Sequence, residues 1–486
     1  MAHFSEAQRA QLRDRGISEA EANRQLALAA SPIAFAEVAR PCLIGDGIES
    51  IPEGRQRELI ALHEEAAGQG RVSKFVPASG AATRMFQDVI TGAGVDALLA
   101  GLPCLPFAEN LRNALAARGC ELDALRAARS GAEIVAALLD ADGLSYATIP
   151  KALVPFHRYA EGARTAFEEQ LVETAGYARD GDGVCRVHFT VSPEHLPAFR
   201  QLAGRVVPVY ERMLAARFEL SWSVQKASTD TLAASPGGGP FVADDGRLVL
   251  RPAGHGALIE NLSEYGGDVV FVKNIDNVQT DALREDTIRW KKILGGRLVE
   301  LQRAIFLHVA RLRSRPVDPQ FVAEAVLFAG RDLAIDAPPE RLLGLLERPL
   351  RVCGVVLNTG EPGGGPFWVR GHDGRTTRQI VEIAHVDRSS FEQRAQLRGA
   401  THFNPVDLAC GLLDVDGAPF DLPRFVDPDA VMVVKKHYQG RDVLALERPG
   451  LWNGAMAEWI TIFVEVPIST FTPVKTVADL LRPEHQ

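Results

Sequence analysis

The run Ser79-Gly80-Ala81-Ala82-Thr83-Arg84-Met85 is made of small residues closed by an arginine. Small side chains let backbone N–H groups approach a phosphate, and a helix starting at such a turn adds its positive end. Arg84 would add charge-assisted hydrogen bonds to phosphate oxygens. The plain alternative is a tight structural turn with a surface arginine. The run is not a P-loop, because G-x-x-x-x-G-K-S/T is absent.

Four more segments carry comparable chemistry. In Ile149-Pro150-Lys151-Ala152-Leu153-Val154-Pro155 a lysine sits between prolines, a point charge on a stiff loop. In Arg251-Pro252-Ala253-Gly254-His255-Gly256-Ala257 the glycines flanking His255 permit close backbone approach to a flat ligand such as a base. Asn274-Ile275-Asp276-Asn277 follows the apolar run VVFVK directly. A carboxylate there is expensive without a partner, and Mg²⁺ is a natural one. Phe471-Thr472-Pro473-Val474-Lys475 places a lysine just before an expected helix. Each has a bland reading: a solvated lysine, a turn with an incidental histidine, an Asx turn, a surface lysine. For Asp276 the strand-end position favours the metal. Their order and joint presence carry the weight.

These residues need elements to hold them. RVSKFVPA reads as a strand entering the small-residue turn, and Met85, Phe86, Val89 and Ile90 follow at helical spacing, so the segment is a βα unit. CRVHFTVS alternates as a strand does. GDVVFVKNIDN and RVCGVVLNTG are apolar strands ending in polar loops. Residues 287–314 repeat apolar side chains at helical spacing. Residues 1–70 read as a helical N-terminal region, with Ser18 capping EAEANRQLALAA. Residues 92–145, rich in Ala and Leu, read as a helical insertion or lid within a catalytic region spanning 71–400. Residues 401–486 form a C-terminal region that contributes Lys475. The alternation predicts an α/β protein with a mostly parallel sheet, whose ligands sit at the carboxyl ends of the strands.

Composition sets the outer bounds. The 486 residues carry a net charge of -9 and 46% hydrophobic residues. That excludes wholesale disorder and a basic nucleic-acid binder. The six cysteines, Cys42, Cys104, Cys120, Cys185, Cys353 and Cys410, show no C-x-x-C pair. This argues against a zinc site or disulfide framework and suits a reducing cytosol. The polar start, MAHFSEAQRAQLRDRG, reads against a secretory leader, and no apolar run has a membrane span's length. A cytoplasmic protein with no membrane or nucleic-acid partner is the expectation.

Taken together, the segments resemble those of nucleotide-sugar pyrophosphorylases, especially the UDP-glucose and UDP-N-acetylhexosamine enzymes. Those proteins open with a GGxGTRM-like loop, which SGAATRM resembles. Pro150-Lys151 matches a P-K motif that follows, PAGHGAL a uracil-binding P-x-GHG motif, and NIDN an N-x-DN motif whose Asp binds Mg²⁺. FTPVKTVADLL is similar to a segment that carries a phosphate-binding lysine. The blocks SGAATRM, PKALVPFH, HFTVSPEH and GHGALIENL also resemble a bacterial family known only as a domain of unknown function. Three departures stand out. Ser79 and Ala82 replace glycines, about 65 residues separate the opening loop from Pro150, and no clear second metal-binding Asp follows.

The resemblance implies a Rossmann-like fold of the nucleotide-diphospho-sugar transferase type. It implies a nucleoside triphosphate, UTP favoured, and a sugar-1-phosphate as substrates. Ser79, Gly80, Ala81, Ala82 and Thr83 with Arg84 would cradle the leaving phosphates, and Lys151 would neutralise the α-phosphate. Gly254, His255 and Gly256 would face the base, Asp276 would hold Mg²⁺, and Lys475 would bind the sugar phosphate. Asn404 would touch the sugar, and Gln225 the base or sugar. Asp407 reads equally as a second metal contact or as an N-cap for an expected helix at LACGLL. Two other classes stay open: a non-catalytic nucleotide-sugar-binding regulatory protein, and a glycosyltransferase on a related fold.

Overall fold

A computed structural model describes residues 2–32, 34–128, 130–314, 316–360, 363–371 and 373–486. The chain is mixed α/β and divides into two compact units. Unit 1 comprises Met1–Leu59, Val224–Val270 and Leu294–Val466; unit 2 comprises Ile60–Ser223, Phe271–Ile293 and Pro467–Gln486. Both are therefore assembled from segments distant in sequence.

In unit 2 the strands Val72–Pro77 and Val184–Val191 pair in parallel, with Phe75 opposite His188. Val269–Lys273, whose last three residues belong to this unit, neighbours Val72–Pro77, and Arg217–Val224 neighbours Val184–Val191. Val269–Lys273 is buried at every position. That continuous apolar character is what a strand covered on both faces requires. The helix Ala166–Tyr177 is buried along most of its length, and Thr165 and Glu168 form a capping box at its start.

Residues 92–145 are helical as expected, in four short helices: Val95–Gly101, Ala108–Ala117, Leu122–Ala127 and Gly131–Leu139. Phe86, Phe107 and Tyr146 pack together, with Phe107 edge-on to Tyr146 at 5.3 Å between centroids. The insertion is thus tied through Phe86 to the segment after the opening loop. The small-residue turn leads into a short 3-10 turn, Ala82–Arg84, and a four-residue helix, Gln87–Ile90. Gly92 and Gly94 end that helix early, so it brings little dipole to the turn.

Unit 1 is built on Leu350–Leu357, which is parallel to Ile460–Glu465 on one side and antiparallel to His402–Gly411 on the other. Gly47–Glu49 continues in parallel beside Ile460–Glu465. Two expectations change here. Helices Glu6–Asp14, Glu19–Ala30 and Glu53–Gly68 form as expected, but 38–49 yields three short strands. Pro41, Gly45 and Gly47 interrupt any helix there, while Val38, Ile44 and Ile48 favour extended chain. The helix expected at LACGLL is instead part of the fully buried strand His402–Gly411. A short apolar run fits either element, and here pairing with Leu350–Leu357 decides. Asp407 therefore caps no helix; it lies opposite Gly354 within the sheet. No described helix is long and apolar enough to cross a membrane.

Candidate active site

Four of the chemistry-bearing segments meet within unit 2, joined in a line by backbone hydrogen bonds that the Lys151 side chain closes into a ring. The Ala82 N–H donates to the Ile149 carbonyl at 2.9 Å, and the Lys151 N–H donates to the Gly80 carbonyl at 2.9 Å. These bonds fasten the opening loop to the proline-bracketed loop, and the Thr83 hydroxyl adds a bond to the Ala147 carbonyl at 2.7 Å. The Val474 N–H donates to the Asp276 carbonyl at 3.0 Å, and Asn277 bridges Pro473. The Val477 N–H donates to the Met85 carbonyl at 2.9 Å and returns the ring to the opening loop.

At its centre stands Asp276. Its Oδ2 receives the Lys151 Nζ at 3.1 Å and the Lys475 Nζ at 3.3 Å. Lys151 Nζ also donates to the Val474 carbonyl at 2.9 Å. Asp276 and Lys151 are buried, whereas the Lys475 side chain is 54% exposed. Burial pushes the Asp276 carboxyl up, but Lys475 and Lys151 outweigh it and hold it below the usual carboxylate range. One carboxylate facing two ammonium groups leaves an excess positive charge, the sign a polyphosphate ligand needs.

The other oxygen, Asp276 Oδ1, is buried and has no hydrogen-bond partner. An orphaned carboxylate oxygen is costly unless something outside the chain takes it. Among the described residues no cluster of three or more His, Cys, Asp or Glu side chains can hold a metal ion. The donor set therefore fits an ion that takes one carboxylate from the chain and completes its shell with phosphate oxygens and water. That is the habit of Mg²⁺.

Ser79, Gly80, Ala81 and Arg84 are exposed, and Arg84 makes no hydrogen bond or ion pair among the described residues. Nothing lies within 4 Å of where a Cβ on Gly80 would sit, and its φ is not left-handed. The chain itself thus gives no reason for glycine at that position.

Two residues that sequence reasoning passed over hold the ring. Gln170, fully buried on Ala166–Tyr177, donates from Nε2 to the carbonyl of Asn274 at 2.9 Å and clamps the loop carrying Asp276. Asp479 accepts the N–H groups of Lys475 and Thr476, both at 2.7 Å. The capping-box spacing Thr476-x-x-Asp479 could have revealed the second. Gln170 left no such signal in the sequence.

The remaining expected residues belong to unit 1. His255 stacks on Trp452, with centroids 4.1 Å apart, and its Nδ1 accepts the Leu451 N–H at 3.0 Å. A Cβ on Gly256 would lie 2.2 Å from the Pro449 carbonyl oxygen, and Gly254 has φ +77°. Within the unit, then, both glycines answer a backbone requirement. Asn404 donates to the Gly354 carbonyl at 3.0 Å and accepts the Val406 N–H at 3.0 Å, so both ends of its amide are engaged. Gln225 Nε2 is buried without a partner.

Comparison with known proteins gives a likeness of fold first. The fold is similar to that of the UDP-N-acetylglucosamine pyrophosphorylase from Trypanosoma brucei in complex with inhibitor: TM-score 0.50, 13% identity, covering 99% of this chain and 80% of that one. The UDP-glucose pyrophosphorylase from Leishmania major matches at TM-score 0.46 and 15% identity over 99% of this chain and 80% of that one. A UDP-glucose phosphorylase from Trypanosoma brucei matches at TM-score 0.47 and 14% identity over 98% and 77%. The chain belongs to the family described as Domain of unknown function (DUF4301), which matches residues 5–486. No curated protein matches the sequence.

Proposed function

We propose that the chain is a sugar-1-phosphate nucleotidyltransferase, with UTP the favoured triphosphate. The observation that carries this reading is the pairing of Lys151 and Lys475 with Asp276 in a ring closed by the opening loop. The likeness to UDP-sugar pyrophosphorylases supports it at the level of fold.

In the reaction, an oxygen of the sugar-1-phosphate attacks the α-phosphorus of the triphosphate in line. A new P–O bond forms, the α–β bridge breaks, and pyrophosphate departs with the electron pair. The nucleophile is already ionised at neutral pH, so no general base is required. The difficulty is bringing two polyanions together, and positioning with charge neutralisation meets it. Lys151 faces the α-phosphate, Lys475 holds the sugar phosphate, and the opening-loop N–H groups with Arg84 receive the leaving phosphates. Asp276, through Oδ1, would hold Mg²⁺, which would supply further charge neutralisation there. A cytoplasmic location fits both substrates.

The deciding experiment is pyrophosphate release with Mg²⁺ from UTP, CTP, GTP, ATP and dTTP, each against a panel of sugar-1-phosphates. Release that needs one triphosphate and one sugar phosphate establishes the class and names both substrates. Silence across the panel with nucleotide binding retained would favour a non-catalytic binding protein.

A further inference from the structure

Unit 1 contains a cavity of about 360 Å³, within the size range of small-molecule sites. Its lining includes Arg348, Arg375 and Arg378, together with the threonines Thr376, Thr377 and Thr461. Arg378 is 8% exposed, and its Nη2 donates to the Leu333 carbonyl at 2.7 Å. Among the described residues no carboxylate hydrogen-bonds or ion-pairs with it. Burial pushes its guanidinium below the ordinary value. Burial also pushes Arg348 down, and Arg375 and Arg341 push the same way.

The acids nearby are already shared. Asp373 takes Arg375 at 2.6 Å and Arg341 at 3.4 Å, and Glu458 takes Arg348 at 3.5 Å. Asp336 also lines the cavity. The lining itself thus carries three guanidinium groups, of Arg348, Arg375 and Arg378, against two carboxylates, of Asp336 and Glu458, and Arg378 is the most buried of the three. The wall beside Arg378 is a single π-helical turn, Ala329–Leu333, that ends on Ala334 at φ 55°. π-turns and left-handed non-glycine residues recur where a fold serves a ligand.

We propose that this cavity binds a small anionic metabolite carrying phosphate or carboxylate groups, with Arg348, Arg375 and Arg378 as its countercharge. Guanidinium groups match both anions through paired N–H donors, and the threonine hydroxyls add neutral ones. A bound anion would give Arg378 an anionic hydrogen-bond partner, which no carboxylate among the described residues supplies.

Isothermal titration of the whole protein with sodium phosphate, and separately with citrate, at fixed ionic strength tests this. Saturable binding of phosphate alone, of citrate alone or of both supports the site, and the pattern identifies the anionic group recognised. Arg375→Gln and Arg348→Gln should each weaken binding by about 10-fold or more, as loss of a charge-assisted pair does. Arg378→Met should abolish it; if that variant misfolds, the other two carry the test. Lys475→Ala, which alters the site in unit 2, should leave this binding intact. Binding of neither anion, binding indifferent to the arginine substitutions, or binding lost with Lys475→Ala would overturn the proposal.

Discussion

Lys151 and Asp276 are 125 residues apart in sequence, yet the lysine Nζ lies 3.1 Å from Asp276 Oδ2. Both groups are buried, so neither is an ordinary surface charge. Asp276→Ala should leave a folded protein by circular dichroism and reduce pyrophosphate release by at least about 10²-fold, the scale of losing a group that stabilises developing charge. Turnover close to that of the unmodified chain would remove Asp276 from the metal role.

Lys475 shares Asp276 but stands half in solvent, and the Thr476–Asp479 cap holds its backbone. Lys475→Ala should raise KM for the sugar phosphate while leaving nucleotide affinity nearly unchanged. A fall in nucleotide affinity alone would show that the assigned role is wrong. Asp479→Ala should reproduce the defect more weakly, by freeing the Lys475 backbone.

Two glycines offer a contrast. Gly80→Ala meets no atom and no backbone restriction, so its stability should stay within about 0.5 kcal/mol of the parent. Nucleotide binding should nonetheless weaken, because the methyl group would occupy space the proposed phosphate uses. Gly256→Ala would drive a methyl group into the Pro449 carbonyl and should destabilise by about 1–3 kcal/mol. Melting curves with and without UTP separate the two outcomes.

The core of unit 2 holds an unusual charge set. Glu173 receives Lys74 at 2.9 Å and Lys273 at 2.6 Å, and Lys291 lies over the Phe271 ring at 5.3 Å. All four ionic side chains are buried. Burial, against the pull of Glu173, brings Lys74 down to about 7 from 10.5. Between those values the unfolded chain binds more protons than the folded one, so this group makes stability rise with pH from about 7 toward 10. Lys74→Met should flatten that rise in urea titrations. Glu173→Gln takes the carboxylate from Lys74 and Lys273 and should cost about 3–5 kcal/mol.

Much of this site was legible because Asp276 follows a buried strand and Lys151 and Lys475 stand in proline-marked segments. Lys151, Asp276 and Lys475 were chosen from the sequence, and the fold places their side chains on one another. The small-residue turn was legible too, although the helix expected after it is only one turn long. Gln170 was hidden inside a helix buried along most of its length, where an amide clamping a distant carbonyl looks like any other polar residue. The Lys74, Lys273 and Lys291 set was hidden because lysine reads as surface until burial is known. The N-cap reading of Asp407 failed because a short apolar run does not declare its period. The glycines around His255 were noticed for ligand approach, while their fit against Pro449 required coordinates.

The ring of hydrogen bonds also imposes an order in time. Its four arcs leave the ribosome in sequence, and the arc bearing Lys475 comes nearly four hundred residues after the opening loop. At roughly 5–20 residues per second, the early arcs wait tens of seconds for their closing partner. Through that interval a nascent chain would lack the proposed cradle and could not hold the triphosphate assigned to it. Competence would arrive in one late step, when the Val474 and Val477 amides find their carbonyls.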